Sequence, residues 1–190
     1  MVPVPTSEGR TLWIVGAARA AAGHPTRSGL IEKLRALGKA GPELVAVFDA
    51  RSIASERHLL SAWAHLGRSR ARGEERLRDR SAELALFVAG DDQLPRALQK
   101  VGFQSDSEAF VVVGERPRVP SEVLASLGLR EEPSAYPRAL TAETLDRLGI
   151  TADDRQVVPE SAWEGLVLER VAMLELTAGH SAGRPAAQTS

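Results

Sequence analysis

Short continuous apolar runs alternate along this chain with segments in which apolar residues recur every three or four positions. The runs at 11–15, 44–48 and 109–113 predict buried strands, because each is short and contains residues that favour the extended backbone. Gly16 follows the first run and predicts the end of that strand. The segments with the longer period predict helices that have one apolar face.

Two of these helices have clear start or stop signals. One helix covers about 30–37 and is closed by Gly38 and Gly41. Another opens at Ser55, whose hydroxyl suits a helix N-terminus, and ends at Gly67.

Segment 74–89 has two interpretations, since its second half would suit a buried strand as well as a helix. The spacing of its leucines favours a helix that ends at Gly90, in the position of a left-handed cap residue. Asp91 and Asp92 then supply oxygens for the N-cap of a helix that covers 94–101.

The last third of the chain predicts two short helices at 120–127 and 142–148, an edge strand near Leu129, and a long helix that starts at Pro159. Strands thus alternate with helices, although two helices in a row precede the third strand. This order predicts an α/β protein, with a single-domain sheet of about four strands and helices packed on it, whose strand directions are left open.

Length and composition fit one domain. The 190 residues carry a formal net charge of -1, and 43% are hydrophobic, which is enough for a core. We expect a flexible N-terminus at 1–10, a single α/β domain at 11–177 and a disordered tail at 178–190. The absence of cysteine excludes disulfides and thiolate chemistry. With no signal peptide or membrane span in the sequence, a cytoplasmic location is expected.

Motifs for catalysis are absent from the sequence, so no enzyme, metal or cofactor is predicted. His58 and His65 lie seven residues apart without a third ligand at metal-binding spacing. The glycines of segment 16–23 follow a strand but lack the spacing of a dinucleotide loop, which leaves a small nucleotide-binding α/β enzyme as the alternative function. A DNA recognition helix at 92–101 is disfavoured by its acidic start.

Two features point to binding instead. Six arginines and three acids crowd segment 67–80, and a flexible arginine loop suits the phosphates and exposed bases of nucleic acid, although a solvated loop with salt bridges is equally compatible. The C-terminal helix is apolar on more than one face, so it is either wholly buried or docked on another chain. In the second case Trp163 and Met173 would suit an anchor surface.

Three segments, in order, resemble the TPRKB-like kinase-binding subunits of the KEOPS complex, which makes threonylcarbamoyladenosine in tRNA. Segment 49–62 resembles the family's strand-to-helix connection. Segment 83–102 is similar to its helix, turn and following amphipathic helix, and 168–176 is similar to its terminal helix. Order and approximate spacing agree from about residue 13 to 176.

This resemblance implies a non-catalytic α/β subunit that binds the complex's atypical protein kinase and helps to hold tRNA, including its CCA end. The kinase-binding residues implied by position are Trp163, Leu166, Val167, Arg170, Val171 and Leu174. The implied RNA-binding residues, with the arginine segment, are Arg68, Arg70, Arg72, Arg78, Arg80, Gly90, Gln93, Arg96 and Lys100.

One departure from the family pattern lies at the turn. Where the family has Ser-Gly-x-Arg, this chain has an alanine, Gly90, Asp91 and Asp92. An acid in place of the expected arginine repels phosphate. The segment 67–80 and the N-terminal arm also exceed the family minimum.

Overall fold

A computed structural model describes residues 4–5, 11–20, 26–136 and 139–181, with side chains described for 11–20, 26–136 and 139–176. Its sheet has the strand order β1–β2–β4–β3, and a short β5 pairs with the end of β2. The strands are β1 (Val4–Pro5), β2 (Thr11–Arg19), β3 (Val45–Asp49), β4 (Ala109–Glu115) and β5 (Leu129–Glu131). All of the described pairings are antiparallel.

Eight α-helices and three short 3₁₀ segments surround this sheet in the described part of the chain. The helices are α1 (Arg27–Ala40), α2 (Glu56–Ala71), α3 (Arg80–Ala89), α4 (Leu94–Val101), α5 (Pro120–Leu127), α6 (Ala142–Arg147), α7 (Ala152–Gln156) and α8 (Trp163–Ser181). The 3₁₀ segments are Ala50–Ser52, Pro133–Ala135 and Glu160–Ala162. The predicted α/β class and the sheet of about four strands are confirmed, as are a helix at 80–89 and a strand near Leu129.

The sheet separates two apolar cores, because alternate residues of a strand point to opposite faces. On one face Ile14 and Val113 pack in a core with residues from α2, α3 and α8. On the other face Trp13 and Val112 pack with residues from α1 and α5. Both faces are covered, which explains why the strands read as continuous apolar runs rather than as an alternation.

Gly16 does not end the first strand, so that prediction was wrong. Strand β2 continues through it to Arg19 and pairs with β5 beyond it. A Cβ atom on Gly16 would lie 2.6 Å from the carbonyl oxygen of Glu132 and 2.8 Å from the backbone nitrogen of Tyr136. The glycine therefore permits close backbone approach within the strand. Residues 21–23 of the glycine-bearing segment lie outside the described part.

Helix α1 passes through Gly38, which was predicted to close it, and ends at Ala40 before Gly41. Two other predicted helix ends were also wrong. Helix α2 passes through Gly67 and ends at Ala71, because a glycine on an open helix surface costs only about 1 kcal/mol and does not stop a packed helix. Helix α4 has Gln93 at its N-cap, without a side-chain cap. The carboxylate of Asp91 instead accepts a hydrogen bond from the backbone N–H of Gln93 itself, at 3.0 Å.

The predicted limits of the domain also need correction. Val4–Pro5 pairs with β2 inside the segment predicted to be flexible, and α8 continues to Ser181, past the predicted start of the tail at 178. The rest of those predictions concerns residues 1–3, 6–10 and 182–190, which lie outside the described residues.

Candidate functional site

A cleft of about 830 Å³ opens between α8 and the turn that joins α3 to α4, with further residues from segment 150–157. It brings together two groups that the sequence analysis had kept apart. The predicted RNA-binding residues Gly90, Arg96 and Lys100 and the predicted kinase-binding residues Leu166, Arg170 and Leu174 all line it.

Asp91 organises the polar side of the cleft. Its side chain is almost buried and lies 3.0 Å from both the Nε of Arg96 and the Nζ of Lys100. Desolvation raises the pKa of Asp91, but hydrogen bonds from the Gln93 backbone, Lys100 and Arg96 outweigh it and hold the pKa below its ordinary value. Two of the cleft's cations are therefore already ion-paired with this carboxylate.

Gly90 allows α8 to pass close to the turn. Its φ of 57° is left-handed, and a Cβ atom there would lie 3.0 Å from the Cβ of Arg170. The guanidinium of Arg170 in turn lies 3.3 Å from the Asp154 carboxylate, which connects α8 to α7. Both the backbone conformation and the available space thus favour glycine at this position.

The charge balance of the cleft is unfavourable for phosphate. Four acidic side chains and three basic ones line it, which gives a net charge of -1. Arg96 is shared between Asp91 and Asp92, and Gln93 is not among the lining residues. The acids that replace the family's arginine therefore pair with the neighbouring cations and reduce the positive potential that a nucleic acid would meet.

The apolar rim of the cleft combines Leu166 and Met173, which the sequence had indicated as possible partner contacts, with Val157, which it had not. Val157 is 81% exposed and Met173 is 51% exposed, while Leu166 is half-buried between them and the core. Val157 follows the short helix α7, and the Thr151-x-x-Asp154 capping box was the local signal that could have located that helix.

Three members of the predicted kinase-binding set belong to this chain's own core. Val167, Val171 and Leu174 are at most 5% exposed and pack against residues of α2, α3 and the sheet. Their burial leaves little surface for a partner, so the kinase-binding role that the resemblance implies for these three residues needs correction. Arg170 and Leu166 remain accessible from the cleft, and Trp163 is partly buried against the core.

The arginine segment is not a flexible loop, because its first part belongs to α2 and its last residue to α3. Arg70 binds the fully buried Glu83 carboxylate at 2.7 Å. Arg80 binds the fully buried Glu115 at 2.8 Å and lies over the Trp63 ring, 5.3 Å from its centroid. These two arginines serve the interior of the fold.

Arg68 and Arg72 pair with Glu175 of α8, at 3.2 and 2.5 Å, and His65 contacts the same carboxylate. Desolvation raises the pKa of Glu175, but hydrogen bonds from Arg72, Arg68 and His65 outweigh it and lower the pKa to about 2. Of the predicted RNA-binding arginines in this segment, Arg78 is exposed and has no ion pair with any described residue.

His58 is a fully buried histidine that connects α2 to α3. Its Nδ1 accepts a hydrogen bond from the Ala54 backbone N–H at 3.3 Å, and its Nε2 donates to the Val88 carbonyl oxygen at 2.9 Å. Burial lowers the pKa of His58 to about 4, so the ring is neutral at physiological pH.

The three segments that carry the family resemblance meet in one structural unit. His58 of the first segment is bonded to Val88 of the second, and Gly90 of the second contacts Arg170 of the third. Ser55 of the first segment also bonds Glu164 at the start of α8. The second and third segments line the cleft, and the first packs against the second and against the start of α8 without lining it.

The described residues contain no group of three or more His, Cys, Asp or Glu side chains that could hold a metal ion. None of the helices in the same residues is long and apolar enough to cross a membrane.

Comparison of the sequence with models of known protein families and with curated proteins gives no match. The family resemblance therefore rests on the three sequence segments alone.

Proposed function

We propose that this protein is a non-catalytic binding subunit of the KEOPS complex, which docks on the complex's atypical protein kinase and supports threonylcarbamoyladenosine modification of tRNA. The observation that carries the proposal is the packing of the family-like segments in one unit, in which the second and third segments line a common cleft and the first packs against the second.

The cleft has the composition of a protein-docking surface. Specific interfaces combine a few buried apolar anchors with charged residues at their edge. Met173, Val157 and Leu166 supply apolar surface, and the ion pairs of Asp91 and of Arg170 surround it. Polar groups that are already paired do not have to be desolvated alone when a partner covers them.

Helix α8 has two roles in this proposal. Its inward residues, such as Val171, hold it against the core, and its outward residues reach the partner. A stable contact with the kinase would bury roughly 1,200–2,000 Å² in total, more than α8 alone offers, so segment 150–157 takes part.

The docking proposal is tested by co-purification with the kinase subunit, using Met173→Glu together with Val157→Glu. Both side chains are exposed, so the change leaves the core intact, and a buried carboxylate at the interface should weaken the complex at least tenfold. Val119→Glu is the matched control, because Val119 is 45% exposed and does not line the cleft. Equal recovery of the kinase with all variants would contradict docking at this site.

The tRNA part of the proposal predicts weak binding with strong salt dependence. Arg78→Ala tests the arginine segment without disturbing its structure. Of the other arginines of that segment, four pair with buried carboxylates or with Glu175, and Arg76 donates to the Leu174 carbonyl oxygen. Equal affinity for intact tRNA and for tRNA without its CCA end would contradict recognition of that end.

Two features of the described structure argue against the alternative of a small nucleotide-binding enzyme. The predicted turn at Gly16 is continuous strand, and the described sheet is antiparallel, so it lacks the crevice at the carboxyl ends of parallel strands where dinucleotides bind.

A further inference from the structure

The outward side of α8 carries an acidic residue within an apolar stripe. Leu166, Glu169 and Met173 line the cleft, and Leu176 continues the stripe about one turn further. We call these four residues the α8 outer face. At about 100° per residue they fall within an arc of about 80°, on the side of the helix away from Val171. The exposures agree with this arc, since Met173 is 51% and Leu176 is 63% exposed, whereas Val171 is 1% exposed.

The charges that line the cleft are unbalanced at Glu169. The other acids of the lining each pair with a cation of this chain, and these acids are Asp91, Asp92 and Asp154. Glu169 is exposed and forms no ion pair with any residue that the structure describes. Since four acids and three cations line the cleft, its net charge of -1 is centred on Glu169.

A partner that covers the α8 outer face has to supply a cation opposite Glu169. The carboxylate belongs to the same stripe as Leu166 and Met173, so a partner that packs on these apolar side chains also removes the water around it. A carboxylate that is desolvated without a counter-charge weakens a complex strongly, whereas a paired one adds to its specificity. Arginine suits this position better than lysine, because its planar fork can donate to both carboxylate oxygens.

The surroundings of the cleft favour a helix as the partner's contacting element. No strand of the described residues lines the cleft, so a partner cannot add a strand to a sheet edge there. A helix that lies in a groove is contacted by residues three, four and seven positions apart, which is the spacing of Leu166, Glu169 and Met173.

A second copy of this chain does not meet these requirements. Pairing of two α8 outer faces would place Glu169 either against its counterpart or among apolar side chains of the other copy. Helix α8 contains one arginine and no lysine, and this residue, Arg170, is already paired with Asp154 at 3.3 Å. Glu169 therefore disfavours self-association and favours a different chain that carries a cation.

We infer that the cleft binds an amphipathic helix of the kinase, which presents a basic side chain flanked by apolar ones opposite Glu169. The kinase as the source of this helix rests on the proposed function. The apolar spacing and the unpaired carboxylate define the chemistry of the helix whichever chain carries it. Glu169 thus determines which partner is accepted, and the apolar residues beside it supply contact area.

Two measurements on the full chain test the basic helix, with circular dichroism as the check on folding. The first is the affinity for the kinase subunit of wild type, Glu169→Gln and Glu169→Arg, with Glu32→Gln and Glu32→Arg as matched controls. Glu32 is an exposed acid within α1 that does not line the cleft. The second is the affinity for two synthetic amphipathic helical peptides, measured by fluorescence anisotropy. Both peptides have leucines at the spacing of the α8 outer face, and they differ only in an arginine or a glutamate between those leucines.

We expect Glu169→Gln to weaken kinase binding about tenfold and Glu169→Arg about a hundredfold or more, with both Glu32 variants within about twofold of wild type. Wild type should prefer the arginine peptide, and Glu169→Arg should prefer the glutamate peptide. Equal binding of the two peptides by wild type would overturn the inference, as would wild-type affinity of Glu169→Arg for the kinase. A wild-type dimer in sedimentation that Glu169→Arg dissociates would also overturn it, since the occupant would then be a second copy.

Different results overturn the docking proposal and the basic helix. If wild type does not bind the kinase, the docking proposal is overturned, while a preference for the arginine peptide that Glu169→Arg reverses still supports the basic helix. If Met173→Glu with Val157→Glu loses the kinase but Glu169→Arg retains it, docking at the cleft stands and the basic helix is overturned.

Discussion

His58 makes the stability of this protein depend on pH in a window that the acidic side chains do not share. The ring is fully buried, its Nδ1 accepts from the Ala54 backbone and its Nε2 donates to the Val88 carbonyl. A second proton would have to go on Nδ1, which would convert an accepted hydrogen bond into a clash between two N–H groups. Burial is the largest cause of the lowered pKa, and the Val88 carbonyl and Glu164 act against it.

The sign follows from the two pKa values of His58, 6.5 as an ordinary histidine and about 4 in the fold. Below pH 6.5 the unfolded chain takes up a proton that the folded chain does not, so stability falls as pH falls and the loss levels off below about 4. The full loss is about 3 kcal/mol, of which about 2 kcal/mol is present at pH 5. That is a large part of the net stability of a typical domain.

Urea unfolding at about pH 7.5 and about pH 5, for wild type and His58→Gln, measures this contribution. Wild type should lose about 2 kcal/mol more than the variant over that interval. His65→Gln is the control, since it removes a histidine of the same helix that is not fully buried, and the contribution of His58 should persist in it. Identical pH dependence in wild type and His58→Gln would refute the reasoning, as would an NMR titration of the His58 ring near pH 6.5.

Three further predictions concern the packing of the fold. Burial raises the pKa of Glu175, but its arginine and histidine partners lower it to about 2. Glu175→Gln should therefore reduce the free energy of unfolding in urea near neutral pH by about 1–2 kcal/mol. In wild type this contribution is lost as the pH falls from about 4.5 through 2. Gly16→Ala should lower the free energy of unfolding by about 2 kcal/mol or more, because backbone atoms occupy the position of its Cβ atom. Gly38→Ala, in open space on α1, should raise it by up to about 1 kcal/mol. Equal melting temperatures of the two variants would contradict this. Arg70→Ala should cost about 3–5 kcal/mol by leaving a buried carboxylate unpaired, while Arg78→Ala should change stability by less than about 0.5 kcal/mol, and similar unfolding curves would count against the buried pair.

Local signals were enough to predict the elements whose cause is local. The apolar runs of β3 and β4 and the left-handed cap at Gly90 depend on neighbouring residues, and each was found from the sequence. Gly16 was misinterpreted because its reason is the backbone of residues 132–136, more than a hundred positions away.

The residues of the candidate site show the same difference between local and long-range causes. The sequence placed Arg96, Lys100 and Arg170 in two different binding sets, and nothing local indicated that α8 brings them to one cleft. Opposite charges such as Arg72 and Glu175 become partners only when α2 and α8 pack together. The dense run of arginines therefore suggested nucleic-acid binding. In the fold, most of these arginines pair with acidic side chains of the same chain.

Amide hydrogen exchange of this protein, alone and with the kinase subunit of the complex, tests the docking proposal most directly. We expect slower exchange on binding in segment 150–157 and on the exposed side of α8 around Met173, with α1 unchanged. Protection centred on α1 or α5, or no protection at saturating kinase, would contradict the docking of this subunit through its cleft.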